Sequence, residues 1–219
     1  MNLDFNQIVP SIPFIMGGIW VTLKFVSVSL IIGLILGTFL AVLKIGKVKV
    51  LIILSDIYTS IFRGTPLILQ LSIIYFATPQ LIDYNISAYE AGVLTFGLNS
   101  AAYISEIIRA GIQAVDKGQK EAAEALGIPY NQMMLKIILP QAFRNILPAL
   151  FNEFITLTKE SAIVSVIGVM DILRRSQVVA SNTFAYFEPL LIAGVIYYVL
   201  VMALTLLGKL LERRLKRSD

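Results

Sequence analysis

Ionisable side chains set inside apolar runs mark where chemistry is to be sought in this chain. Lys24, Asp56, Arg63, Glu106, Glu153, Lys159 and Glu160 lie within such runs, with Glu90 and Arg109 near their ends. A charge at a bilayer centre costs about 2.5–3.5 kcal/mol on insertion scales, so each needs a partner, a wet cavity or a ligand. Binding a polar solute and moving it across a membrane is chemistry of that kind. Bond-making chemistry is poorly served, because the chain has no His and no Cys. The commonest acid–base residue is missing, zinc and haem lose their usual ligands, and disulfides are excluded. No GxxxxGK[ST] loop occurs, so the chain has no P-loop for ATP. A membrane-embedded enzyme would depend on Asp, Glu or Lys, and no carboxylate-rich metal pattern appears; no metal site is expected.

The elements that must position these groups are membrane spans. Of 219 residues, 57% are hydrophobic and 15% charged, with a mean hydropathy of +0.81, more apolar than globular domains. Residues 25–43 carry no charge and suffice to cross a bilayer core. The expectation is an all-α integral membrane protein with five transmembrane helices, at about 15–43, 50–78, 87–112, 142–170 and 190–211. Without repeats or low-complexity linkers, it reads as a single domain, 1–219. The segment MNLDFNQIVPSIPF lacks a basic n-region, so the first span is expected to remain in the mature chain. Lys44, Lys47 and Lys49 fall in the first connection. Lys117, Lys120, Lys136 and Arg144 fall in the third, and Arg213, Arg214, Lys216 and Arg217 in the C-terminal tail. The positive-inside rule then places the N-terminus outside and the C-terminus in the cytoplasm. Arg174 and Arg175 fall on the opposite side from the other cations. The net charge of +4 follows this topology and does not point to nucleic acid.

Three polar clusters come out at similar depth: Arg63-Gly64-Thr65-Pro66, Asn99-Ser100, and Glu153 with Thr156. Pro66 removes a helix hydrogen bond, and Gly64 loosens the backbone beside it. A helix broken there exposes backbone groups, tolerable only against protein or a wet cavity; transporters use such breaks as ligand sites. Two readings stay open. Arg63 and Asp56 line a site, or they pair with each other across two helical turns. Glu153 has no basic residue within one turn, so it binds a cationic group of the substrate, stays protonated, or pairs with Lys24. Glu106 and Arg109, three apart on one helix face, are expected to pair. The candidate substrate-binding residues are Glu153, Asn99, Ser100, Thr65, Gly64, Arg63, Asp56, Gln70 and Thr156.

The longest connection, about 114–140, contains EAAEALGIPYNQMMLKIILP. Glu121 to Leu126 is a strong helix former, Gly127 suits a C-terminal cap, and Pro129 fits the start of a second helix. Such a helix–turn–helix either sits in a groove on another protein or lies on the membrane surface. Its spacing is specific. Glu121-Ala122-Ala123, three residues, Gly127, nine residues, Ile137, one residue and Leu139-Pro140 resembles the EAA-loop signature of ABC importer permeases. IFRGTPLILQLSIIYF, NSAAYISEIIRAGIQAV and ESAIVSVIGVMDILRRSQ look like the polar amino-acid uptake branch, the arginine, histidine and glutamine type.

That resemblance implies a type I ABC-importer fold and a transmembrane permease for polar, chiefly basic, L-amino acids, working by alternating access in a bacterial cytoplasmic membrane. Glu121, Ala122, Ala123, Glu124, Ala125, Leu126 and Gly127 would form the coupling helix that docks on cytoplasmic ABC ATPase subunits. Those subunits would bind ATP and Mg, leaving no cofactor in this chain and no catalysis. A second permease subunit, alike or different, and an extracellular amino-acid-binding protein complete the assembly. Where the family commonly has Lys, Asp or Asn, then Thr-Ser, this chain has Lys159-Glu160-Ser161-Ala162, so no role is carried onto Lys159 or Glu160. An ABC permease for another solute and an ion-coupled secondary transporter are the competing functions; the latter needs no docking loop.

Overall fold

The first long helix is apolar on every side rather than along one stripe, so periodicity alone cannot say which face it buries. Glycine and alanine settle that. In the computed structural model, which describes residues 4–216, helix α1 spans Ile12–Ile45. At 1.5 Å per residue this is roughly 50 Å, more than a bilayer core requires. Ser29, Gly33, Gly37 and Ala41, spaced by four, are all buried. They face α4 (Ala88–Gln113), the most extensive helix–helix contact in the chain. A Cβ at Gly37 would come within 2.8 Å of the Ala101 carbonyl oxygen and of Ile104 Cβ. In lipid, where the hydrophobic effect gives little drive, small residues allow this close backbone approach and the dispersion contacts that come with it.

Between these two helices the chain makes α2 (Lys49–Gly64) and α3 (Leu67–Ile82), bent by 101° at Thr65-Pro66. After α4 come α5 (Lys117–Ala125) and α6 (Tyr130–Met133). A π-type turn, Met134–Ile138, leads into α7 (Leu139–Glu160) and a 3-10 stretch, Ser161–Ile167. The described chain closes with α8 (Ile172–Thr183) and α9 (Phe187–Lys216). It has no strand among the described residues. Glu90, met in the sequence as an ion near a span end, completes a capping box with Ser87 at the start of α4.

Phe25, Leu71, Phe96, Leu157 and Val164 form the central core and join α1, α3, α4 and α7. The Phe25 and Phe96 rings meet edge to face at 5.0 Å. A second cluster of Ile8, Ile15, Ile172, Val179 and Ala193 holds α8 and α9 against the start of α1. There Arg175 donates to the carbonyls of Phe14 (2.9 Å) and Met170 (3.1 Å) and stacks on the Phe14 ring. Structural use of Arg175 accounts for one of the two cations that depart from the charge bias; Arg217 lies outside the described residues.

The expected span count is not established by the fold. Length and apolarity mark Phe5–Ile45, Ala88–Gln113 and Phe187–Arg214, with the bent α2–α3 pair as a fourth. The second expected span is therefore two helices at a sharp angle rather than one, because Pro66 ends the hydrogen-bond ladder. The fourth, 142–170, is most of α7 followed by the 3-10 stretch Ser161–Ile167, and Arg144, Asn152, Glu153, Lys159 and Glu160 lower the apolarity of α7.

Replacing Gly37 with Leu should overpack the α1–α4 contact, costing about 1–3 kcal/mol and lowering the thermal midpoint of the detergent-solubilised protein by several degrees. Gly194→Ala is the control. A Cβ there meets nothing within 4 Å, so the midpoint should hold or rise.

Candidate functional site

The break in the second apolar segment follows from one missing donor. In an unbroken helix the Phe62 carbonyl would accept the N–H of residue 66, and Pro66 has none. Gln70 and Asn99 take its place. Gln70 Nε2 donates to the Phe62 carbonyl (2.9 Å), the Thr65 carbonyl (3.1 Å) and Thr65 Oγ1 (2.8 Å). Asn99 Nδ2, from α4, donates to the same Phe62 carbonyl (3.1 Å) and to Gln70 Oε1 (3.0 Å). Thr65 Oγ1 donates to the Ile61 carbonyl at 2.8 Å. Gln70 and Asn99 are buried. Gly64 stands open, with nothing within 4 Å of a Cβ built there.

Ser100 turns the other way around α4 and donates to Glu153 Oε1 at 3.1 Å. Thr156, one turn further along α7, is half-buried beside it. The Thr65-Gln70-Asn99 knot and the Ser100–Glu153 pair are thus joined through adjacent residues of α4. None of the ion pairs among the described residues involves Glu153. The pairing with Lys24 left open by the sequence does not form; Lys24 Nζ sits 6.0 Å over the Tyr89 ring.

Arg63 and Asp56 belong to a different group, and the pairing with each other is also absent. Asp56 meets Lys44 Nζ at 3.3 Å, and Arg63 reaches Glu106 at 3.8 Å and lies over Tyr103. Glu106 is the hub. Lys44 donates to it at 2.5 Å, and Arg109 at 2.6 Å, the pair that spacing foretold. Lys44 also donates to Thr59 Oγ1 at 2.9 Å. Counting Lys44 among loop cations missed its part in this group. The available signal was that Lys44 directly ends a charge-free helical run, which places it on the helix rather than in the connection.

In the connecting loop, α5 begins at Asp116, whose side chain accepts the Gly118 N–H at 2.7 Å. It ends at Gly127, with φ +69. The Ile128 N–H bonds back to the Ala123 carbonyl and the Gly127 N–H to that of Glu124, a Schellman motif. Ala123, Met133 and Ile138 are buried together, with Ile112, Ile128 and Ile137 packed on them. Ala123 faces the loop's own small core and is 2% exposed, so it forms the inner face of α5. Glu121, Ala122, Glu124, Ala125, Leu126 and Gly127 are exposed, Leu126 at 78%. A separate groove between α5 and the foot of the bundle is lined by Ile112, Gln113, Asp116, Lys120, Tyr130 and Met133, among others.

Gln70→Leu leaves the Thr65 carbonyl without its side-chain donor and halves the cover of Phe62. Unfolding in detergent should become easier by about 1–3 kcal/mol, whereas Ser72→Ala on the same helix should stay within about 0.5 kcal/mol. Gly127→Val forces a β-branched residue into a left-handed conformation, a strain of about 1–2 kcal/mol. Amide exchange across residues 117–138 should speed up roughly 5- to 30-fold, with Gly127→Asn much closer to the parent because Asn tolerates that region.

Comparison with known proteins bears on all of these features. Residues 29–217 match the family model described as "Binding-protein-dependent transport system inner membrane component". The chain is 59% identical over 219 residues, the whole of both proteins, to the arginine transport system permease protein ArtQ of Bacillus subtilis (strain 168). It is 53% identical over 206 residues, 94% of each, to a putative glutamine transport system permease protein GlnP of Rickettsia typhi. A solved chain described as "Crystal structure of an amino acid ABC transporter with histidines" superposes with a TM-score of 0.95 at 45% identity, covering 98% of this chain and 100% of that one. On this extent of match, the chain belongs to the family of inner-membrane components of binding-protein-dependent transport systems.

Proposed function

We infer that this chain is the transmembrane subunit of an ATP-driven ABC importer for amino acids, and that its preferred substrates carry a second positive charge. The permease itself performs no bond chemistry, since in this family the ATPase is a separate subunit. The observation that carries the charge preference is Glu153. It is held by the neutral hydroxyl of Ser100, the α4 neighbour of the Asn99 that reaches the helix break, and it takes part in none of the ion pairs among the described residues. The knot of Gln70, Asn99 and Thr65 is occupied with backbone carbonyls, so we assign it to shaping the site and leave direct recognition to Glu153, with Ser100 and Thr156 beside it. The arginine permease at 59% identity supports the same reading.

Partner contacts are part of this proposal. The exposed residues of α5, from Glu121 to Leu126, are taken as the surface that docks on the ATPase, with the loop core behind them giving rigidity. The Asp56 and Arg63 side chains are 61% and 45% exposed, and Lys159 and Glu160 are exposed as well. Charges so placed cannot face lipid, which supports a second permease subunit and a wet path on that side. The loop cations support an N-terminus outside and a C-terminus in the cytoplasm.

Glu153→Gln keeps size and hydrogen bonding but removes the charge. Uptake of basic amino acids into proteoliposomes holding the full transporter should fall more than tenfold, about 1.4 kcal/mol, while glutamine uptake falls less. Equal loss for both substrates would make Glu153 structural.

A further inference from the structure

Lys44 makes three contacts, two of them hydrogen bonds and the third an ion pair. They go to Glu106 on α4 and to Asp56 and Thr59 on α2, so one side chain from α1 ties two other helices together. Its side chain is 2% exposed. The contacts continue in both directions. On one side, Arg109 binds Glu106 through Nε and Nη2 and donates from Nη1 to Gln113 Oε1 at 3.2 Å. Gln113 is the last residue of α4, and three residues on, Asp116 caps α5 in the connecting loop. On the other side, Asp56 and Thr59 belong to the helix that ends at the break. Thr59 precedes Gly64 by five residues, roughly 7.5 Å along the axis.

The path from Gln113 through Arg109, Glu106 and Lys44 to α2 is therefore unbroken hydrogen bonding and ion pairing. Lys44 is buried and Glu106 largely so, which strengthens their pair relative to a surface one, whereas Asp56 at the α2 end is exposed. Two further ties, Tyr58 Oη to the Leu98 carbonyl at 2.7 Å and Asn99 to Phe62, make α2 follow α4 up to the break. A displacement of the loop end of α4 thus reaches the broken helix through polar contacts that resist both stretching and sliding.

We propose that Lys44 is a positioning residue for transport: with Glu106 it forms the strut that makes the broken helix move with the loop. This rests on the importer reading above and adds the route by which motion at the loop reaches the site. Lys44 touches no candidate substrate contact other than Asp56.

The test uses the full transporter with its ATPase and binding protein in proteoliposomes, reading amino-acid uptake and ATP hydrolysis together. Lys44→Met keeps the aliphatic stem and should leave basal ATP hydrolysis within about twofold, while uptake per ATP falls at least tenfold. Lys44→Arg should restore most of the coupling. The double variant Lys44→Met/Glu106→Gln removes both charges of the pair, while Arg63 and Arg109 also lose Glu106; its melting temperature is read beside that of Lys44→Met, and its uptake per ATP should stay low. Coupling that recovers with the melting temperature in the double variant would overturn the strut, as would unchanged uptake per ATP in Lys44→Met. If the parent transporter shows no ATP-driven uptake at all, the importer reading fails and the strut falls with it.

Discussion

Pro66 lacks an N–H at membrane depth, and much of the site is arranged around that absence. Water would satisfy the Phe62 carbonyl in a soluble protein, but a membrane interior supplies none. Gln70 reaches back from the following helix and Asn99 reaches across from α4. Those bonds stabilise the 101° bend and lock it to α4. That helix in turn is held against α1 by close backbone approach at Gly33 and Gly37, so the bend is anchored to the best-packed pair of helices.

Charge is sorted around this frame. Glu106 gathers Lys44, Arg63 and Arg109, and Lys44 brings in Asp56. Neutralisation there is mutual, which lets ionised groups persist where hydration is poor. Glu153 is excluded from that group and receives only the Ser100 hydroxyl. The contrast is between a crowded hub that ties helices together and a carboxylate whose one hydrogen-bond partner is a neutral hydroxyl.

The loop solves a different problem, since a short helix outside the bundle has little to pack on. Its Schellman turn at Gly127 folds Ile128 back over Ala123, and Met133 and Ile138 close a small core. Burial of one alanine gives the helix a fixed inner face and leaves Glu121, Ala122, Ala125 and Leu126 outward. Rigidity and exposure thus come from the same turn.

Much of this was legible in residue order. Apolar run length disclosed a membrane protein, Pro66 beside Gly64 located the break, Gly127 located the turn, and the three-residue spacing of Glu106 and Arg109 gave their pair. Each is a local property: a missing donor, a favoured dihedral, a helical repeat. What residue order left open was partner choice. Arg63 turned to Glu106 rather than Asp56, Lys44 entered the bundle rather than the loop, Gln70 bonded backbone, and Ala123 faced inward. Those outcomes depend on how α1, α2 and α4 rotate about their axes when glycine and alanine let them approach, and no spacing within one helix encodes that rotation. The span count stayed unsettled for a related reason: α7 carries Arg144, Asn152, Glu153, Lys159 and Glu160, and they mask its hydropathy.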